Sequence, residues 1–355
     1  MSTPLAEGGS IPERTGCVLH IGAPKTGSTA LQRFLAQYRE NLANAGFVYP
    51  GSIERGFGHH DLAFFTGGGC PEWAAPQTDS LEGLLGRLRQ ELDTHSSDAR
   101  LILSSENFYW LSDPRSVKDM LAPLGYTPDS IAVVVYIRRQ EDAIASWYNQ
   151  LVKALGYSAS FEQSVEDYDD LWDYEFRLAQ WAAAFGRQRV IVRLYTDEPE
   201  FDVCRDFAEL LQIPTTGLQT AAGRANPRLV RDLLEFQRVI NRLPLPTPDK
   251  RRYHKQLISL SAQAAVLGLD DTPLHTKASR CAIRERYAAG NQFVANTYFG
   301  REELFPLHAA GHDDAAPPPP LSPEKLAAIF AWLLMTQPTD TESPDEAFHP
   351  RKRQL

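Results

Sequence analysis

Short apolar runs alternate with amphipathic stretches along most of the chain. Residues 17–21, 101–103, 131–137 and 190–192 are almost continuously apolar. Runs of this length, without alternation of polar and apolar positions, are typical of strands buried on both faces of a parallel sheet. The pattern therefore predicts several short, buried strands rather than an exposed antiparallel sheet.

Amphipathic helices are predicted after three of these runs. In the first, Leu31, Phe34, Leu35, Tyr38 and Leu42 recur at helical spacing on one face. Alternating strands and helices are typical of α/β proteins. We therefore expect a three-layer α/β fold with a central parallel β-sheet flanked by helices.

The turn after the first strand carries the most specific pattern. Residues 22–29 keep the glycine spacing of a phosphate-binding P-loop, G-x-x-x-x-G-K-[ST], so the fold is expected to be P-loop-like. Ser28 stands where that motif has lysine, and Lys25 lies inside the loop. We expect Ser28 or Thr29 to cap the next helix and the N–H groups of residues 26–30 to converge on an anion. Lys25 is then placed to reach a bridging oxygen beside a 5'-phosphate.

Two further runs end in side chains suited to phosphate or proton chemistry. Arg138 follows residues 131–137, and Ser146 lies eight positions later in a predicted helix. Ligands of open α/β sheets bind at the carboxyl ends of strands, where an arginine and a hydroxyl suit a phosphate monoester. Glu106 ends the preceding apolar run, and we expect it to act as a general base.

His59 and His60 are the main rivals to Glu106 for the role of base, because histidine titrates near neutral pH. They lie in a glycine-rich stretch, residues 56–61, that lacks periodicity. Loops of this kind often carry function, so acceptor binding or auxiliary acid–base work is the alternative role for both histidines. The irregular segment 56–78 is a candidate acceptor loop.

Residues 24–29, Pro-Lys-Thr-Gly-Ser-Thr, resemble the 5'-phosphosulfate loop of sulfotransferases that use PAPS, 3'-phosphoadenosine 5'-phosphosulfate. The strand that ends in Arg138, with Ser146 eight positions on, is similar to the 3'-phosphate site of that family. Several branches of the family resemble this chain in using a glutamate where Glu106 stands. Residues 284–291 resemble the segment that closes over nucleotide or acceptor in bacterial members.

The resemblance implies transfer of a sulfuryl group from PAPS to a hydroxyl of a carbohydrate or glycosylated small molecule, without a metal. The implied PAPS-binding residues are Lys25, Thr26, Gly27, Ser28, Thr29, Ala30, Arg138, Ser146, Arg284 and Arg286. The candidate catalytic residues are Glu106, Lys25, His60 and His59. Two alternatives stay open: a P-loop kinase with a displaced lysine, and a nucleotide-binding protein without turnover.

Charge and cysteine content limit the partners. The formal net charge of −9 disfavours nucleic acid as a partner. Acidic and aromatic residues crowd positions 166–175, which suits a neutral or cationic small-molecule acceptor if this segment borders the cleft. The four cysteines lie far apart, without C-x-x-C or metal-ligand spacing, and are expected to be free thiols in a reducing compartment.

One catalytic domain, the sulfotransferase domain implied by the resemblance, is expected over residues 15–305. Residues 1–14 are expected to be a flexible N-terminus without the layout of a signal peptide. Residues 306–355 are expected to form a proline-rich spacer, a short helix and a mobile tail. The apolar stretch 326–335 is too short to span a bilayer, and we expect a cytoplasmic protein. The sequence leaves the oligomeric state open.

Overall fold

A computed structural model describes residues 9–70, 80–214, 228–306 and 321–335. The chain divides into two compact units. Unit 1 comprises residues 1–150, 159–226 and 274–314, and unit 2 comprises residues 151–158, 227–273 and 315–355. Much of the expected N-terminus, spacer and tail, at residues 1–8, 307–320 and 336–355, lies outside the described residues.

Within the described residues, unit 1 contains a five-stranded sheet. Its strands are β1 (Cys17–His20), β2 (Phe47–Val48), β3 (Arg100–Ser104), β4 (Ile131–Arg138) and β5 (Val190–Tyr195). Their order is β2-β3-β1-β4-β5, and every neighbouring pair is parallel. The predicted α/β fold, with a central parallel sheet flanked by helices, is confirmed.

Helices connect the strands and follow the last of them. They are α1 (Ser28–Gln37), α2 (Arg39–Asn44), α3 (His60–Thr66), α4 (Leu81–Leu92), α5 (Arg115–Leu121), α6 (Gln140–Ala154), α7 (Phe161–Asp167), α8 (Tyr174–Phe185), α9 (Val203–Leu210), α10 (Arg231–Ile240), α11 (Thr247–Ser261), α12 (Lys277–Val294) and α13 (Pro323–Met335). A 3₁₀ helix spans Glu106–Trp110, directly after β3.

Two local predictions differ from the structure, and one short strand was not predicted. The single helix predicted after β1 is two helices, because Tyr38 leaves helical geometry (φ −107°, ψ 29°) between α1 and α2. Strand β2 has two residues, which is too short to give a periodic signal. The segment predicted to be irregular from residue 56 contains α3, and residues 71–79 lie outside the described residues.

The buried core of unit 1 explains why the strands appear in the sequence as continuous apolar runs. In β4 every residue except Arg138 is buried, and β1 and β5 flank this strand in the sheet. Phe207 of α9 is fully buried and packs with its ring centroid 5.9 Å from that of His20 in β1. Burial on both faces of the sheet therefore requires a continuous apolar run in the strand.

Unit 2 contains α10, α11 and α13 among its described residues. Asp232 near the start of α10 accepts a hydrogen bond from the backbone N–H of Asp270 at 2.6 Å and pairs with Lys325 Nζ at 2.7 Å. Asn241 ends α10 and donates to the carbonyl oxygen of Val152 at 2.7 Å. These buried polar groups are satisfied within the unit.

Of the helices in the described ranges, none combines the length and the apolar character needed to cross a bilayer.

Phe207→Ala should lower the free energy of unfolding by about 3–5 kcal/mol, because it leaves a cavity between α9 and the sheet. Phe176→Ala is a matched control, since Phe176 lies on a helix and is half exposed. The control should change stability by no more than about 0.5 kcal/mol. Urea unfolding followed by circular dichroism measures both, and equal losses would contradict the assigned core.

Candidate active site

The carboxyl ends of three adjacent strands meet at one edge of the sheet. His20 of β1 lies in register with Ser104 of β3 and with Val134 of β4. The phosphate-loop sequence therefore leaves β1 between Glu106, two residues beyond β3, and Arg138, the last residue of β4. Three of the predicted site features are brought to a common edge by this pairing.

The loop after β1 has an unusual backbone. Gly22 and Gly27 have φ of 41° and 80°, and Lys25 between them has φ of 68°. Left-handed geometry is strained for a lysine, and such strain is concentrated at functional turns. A Cβ atom on Gly22 would lie 2.6 Å from Ser28 Oγ, so the turn has no room for a side chain there.

The loop leads directly into the first turn of α1. The predicted caps, Ser28 and Thr29, are corrected: Gly27 is the N-cap, no side chain caps the helix, and Ser28 is its first residue. Left-handed geometry at Gly27 brings the chain into the helix one residue earlier than a serine cap would. The N–H of Ala30 donates to the carbonyl of Gly27 at 2.9 Å. The N–H groups before it, at the very start of α1, have no acceptor within the helix.

Two buried polar atoms lie beneath the loop. Ser28 Oγ and His20 Nε2 have no hydrogen-bond partner among the described residues. His20 Nδ1 lies 2.8 Å from Ser104 Oγ, and burial lowers the pKa of His20 to about 4. Unpaired buried polar groups are costly, so a hydrogen-bonding group that reached these two atoms would be stabilised there.

Arg138 lies against the same loop. Its Nη1 donates to the carbonyl oxygen of Lys25 at 3.2 Å, and its Nη2 forms an ion pair with Asp197. The guanidinium carbon lies 5.5 Å from the ring centroid of Tyr195. The Tyr174 hydroxyl donates to the Arg138 carbonyl at 2.6 Å and fixes the backbone. Arg138, which was predicted to bind a phosphate, therefore lies beside Lys25, and Tyr174 holds the Arg138 main chain in place.

Glu106 is held by a residue of α1. Gln32 Nε2 donates to Glu106 Oε2 at 2.9 Å, and Gln32 is almost fully buried. A Cβ atom on Gly58 would lie 2.9 Å from Gln32 Cδ, so the glycine allows the loop to pack on the amide. The Glu106 side chain remains one-third exposed. One carboxylate oxygen is thus held while the side chain still reaches solvent.

His60 lies next to Glu106 in a defined orientation. Its Nδ1 is 2.9 Å from Ser105 Oγ and 3.1 Å from Asn107 Nδ2, and 3.9 Å from Glu106 Oε2. The Asn107 amide N–H donates, so Nδ1 of a neutral ring accepts and the ring proton is on Nε2. His60 therefore presents an N–H donor rather than a free base.

His59 has different surroundings from its neighbour. It is fully buried, its Nε2 donates to the Pro50 carbonyl at 2.9 Å, and its Nδ1 accepts from the Ser104 N–H at 3.0 Å. Burial lowers the pKa of His59 to about 4. Both ring nitrogens are occupied by backbone groups, which gives His59 a structural role at the end of β3.

The other predicted binding residues lie further along the chain, and both arginines among them have partners. Ser146 is half-buried in the second turn of α6. Arg284 Nε donates to Glu141 at 2.7 Å, and Arg286 bonds Glu166 at 2.8 Å and Asp169 at 2.9 Å. Glu166 and Asp169, both in the acid-rich segment 166–175, thus bond a side chain of α12.

Comparison with known proteins finds one curated relative and several solved structures with limited similarity. No family model matches the chain. An uncharacterized protein of Archaeoglobus fulgidus is 28% identical over 180 residues, which are 49% of this chain and 48% of that protein. The chain thus spans about half the length of that curated relative. A crystal structure of a sulfotransferase from Alicyclobacillus acidocaldarius aligns with a TM-score of 0.38 and 17% identity, covering 73% of this chain and 98% of that chain.

Neither likeness identifies a function for this chain, so the residues of the site have to indicate it. The chain places a lysine, helix N–H donors and an arginine along one edge of the sheet, with a carboxylate beside them. Such a set can hold an anion and take a proton from a group next to it. In the described ranges, His, Cys, Asp and Glu form no cluster of three or more suited to a metal ion.

Sequence reasoning missed the side chains that hold these groups. Gln32 was the detectable one, because it is a polar residue four positions after Ser28, between the apolar positions of α1. His20, Ser105 and Asn107 gave no comparable signal. Their roles depend on contacts with residues tens of positions away.

Acidification should destabilise the protein as pH falls from about 6.5 to about 4. Burial lowers the pKa of His20, His59 and His275 to about 4, so the unfolded chain binds more protons than the folded one in this window. Urea unfolding at about pH 7 and about pH 5 measures the loss. His59→Gln should make it shallower, whereas exposed His95→Gln should not. An unfolding free energy independent of pH would contradict neutral buried histidines.

Proposed function

We propose that the chain is a PAPS-dependent sulfotransferase whose acceptor is a hydroxyl of a carbohydrate or glycosylated small molecule. The observation that carries the proposal is the convergence of the phosphate loop, Glu106 and Arg138 at adjacent carboxyl ends of β1, β3 and β4. A donor with two phosphates needs two anion subsites, and a hydroxyl nucleophile needs a base beside the first of them. The arrangement supports each requirement.

The loop would bind one phosphate of the donor, and Arg138 would bind the other. The N–H groups at the start of α1 and the Lys25 ammonium hold the 5'-phosphosulfate, with Thr26, Gly27, Ser28 and Thr29 as the proposed contact residues. Ala30 is left out, because its N–H donates to the Gly27 carbonyl. Arg138 and Ser146 take the 3'-phosphate. When the acceptor oxygen bonds to sulfur, the bond from sulfur to the bridging oxygen breaks. Lys25 and the amides then stabilise the charge on the departing phosphate.

Glu106 is the proposed base. Gln32 holds Oε2, which leaves the other carboxylate oxygen to take the acceptor proton as the new bond forms. His60 is the weaker candidate, because Nδ1 faces donors from Ser105 and Asn107. His60 is better suited to donating a hydrogen bond to the acceptor. His59 is left out of the proposed machinery, since backbone groups occupy both its ring nitrogens. Arg284 and Arg286 are left out because each bonds a carboxylate outside the loop and the strand ends that form the proposed site.

Adenosine 3',5'-bisphosphate should bind tightly without magnesium, and ATP should not. The bisphosphate occupies both anion subsites, whereas ATP lacks the 3'-phosphate. Isothermal titration calorimetry in the presence of a chelator measures both. The same titrations with magnesium test the kinase alternative, which predicts the opposite preference. Tight, magnesium-dependent ATP binding without bisphosphate binding would refute the proposal.

Glu106→Gln should lower the rate of sulfuryl transfer about 100-fold or more, because it removes the proton acceptor. The rate is measured as transfer of radiolabelled sulfate from PAPS to a panel of sugars and glycosides. The affinity for adenosine 3',5'-bisphosphate should stay unchanged. Glu82→Gln, an exposed charge change on α4, serves as the control and should keep full activity.

Full turnover by the Glu106→Gln variant would assign the base elsewhere, and His60→Gln is the next variant to assay. Bisphosphate binding with no transfer to any acceptor by the unaltered protein would favour the nucleotide-binding protein without turnover.

A further inference from the structure

Arg138 does not use all its hydrogen-bond donors. Nη1 bonds the Lys25 carbonyl and Nη2 pairs with one oxygen of Asp197, but Nε is buried without a partner in the described part of the chain. Nε–H and one Nη2–H form the side of the guanidinium that matches two oxygens of a carboxylate or phosphate. Asp197 thus uses half of that fork.

Asp197 is a poor permanent partner for this fork. It lies in the loop after β5, and its side chain is more than half exposed, whereas the Arg138 side chain is mostly buried. Exposed carboxylates are strongly hydrated, so their ion pairs contribute little and are readily exchanged. A better anion at this position would replace Asp197 without disturbing the main chain, which Tyr174 fixes.

We infer that Asp197 is a competing counter-ion that makes Arg138 selective for a doubly charged phosphate monoester. A singly charged anion offers Arg138 no more charge than Asp197 already supplies, so it gains little by displacing the carboxylate. A phosphate monoester carries a charge of about −1.5 to −2 at pH 7 and has three acceptor oxygens. It can bond Nε and Nη2 together, which Asp197 does not.

This inference rests on the proposed function, since it assumes that Arg138 receives the 3'-phosphate of the donor. Asp197 then sets specificity without touching the reacting atoms. It keeps the arginine charge neutralised when no nucleotide is bound, and it opposes ligands that lack a phosphate at this position. The competition also reduces the affinity for the correct ligand by a fixed factor.

Calorimetric titration of the full chain with two ligands tests this role. Asp197→Asn should tighten the binding of adenosine 3',5'-bisphosphate by roughly two- to fivefold, the range that an exposed ion pair supports. It should leave the affinity for adenosine 5'-phosphate, which lacks the 3'-phosphate, unchanged. Asp129→Asn removes an exposed charge before the opposite end of β4 and should alter neither affinity.

A second pair of variants links the effect to Arg138. Arg138→Ala should weaken bisphosphate binding, and adding Asp197→Asn to it should give no further change. Arg138→Gln also removes the charge and keeps a side chain of similar length, so it serves the same purpose if the alanine variant does not fold.

Several results would overturn the inference. One is weaker binding of the bisphosphate by Asp197→Asn. Another is equally tighter binding of the bisphosphate and of adenosine 5'-phosphate. A third is the same gain in bisphosphate affinity when Asp197→Asn is added to Arg138→Ala. If the bisphosphate binds the unaltered protein but Asp197→Asn changes nothing, the inference fails while the proposed function survives. If no variant binds the bisphosphate, the proposed function fails and this inference with it.

Discussion

Parallel pairing of β1 with β3 and β4 is the constraint on which the site depends. Parallel strands send their carboxyl ends to the same edge, so the loop after β1, Glu106 and Arg138 meet although about 80 residues separate the first two. A strand of five residues spans roughly 17 Å, so reversing β3 would move its terminal carboxylate to the far edge of the sheet. No adjustment of side chains would restore the site.

The fold was predictable because burial on both faces leaves a clear signal in the sequence. Residues 131–137 are apolar throughout, and the same residues lie in β4, an interior strand of the sheet. The strand ends were predictable for the same reason, since the first charged residue after an apolar run marks where burial stops. Arg138 and Glu106 were therefore identified as site candidates before any contact was known.

Contacts between distant segments were not predictable. Gln32 bonds Glu106 across 74 positions of sequence, and His60 bonds Ser105 across 45. His59 and His60 illustrate the limit: they are adjacent and chemically identical, yet one is fully buried and bonded to backbone at both nitrogens while the other borders Glu106. The direction of each side chain is decided by the turn that precedes α3, and composition does not encode it.

The position of helix α1 limits how the proposed site can change. Its first turn follows the loop, and Gln32, about 6 Å along the axis from Ser28, bonds the Glu106 carboxylate. The proposed anion-binding loop and the proposed base thus both contact the same short helix, so a displacement of α1 moves the partner of each. Under the proposed function, adaptation to a new acceptor is therefore easier in the segment that carries Gly58 and His60 than in α1, where one displacement would alter both groups at once.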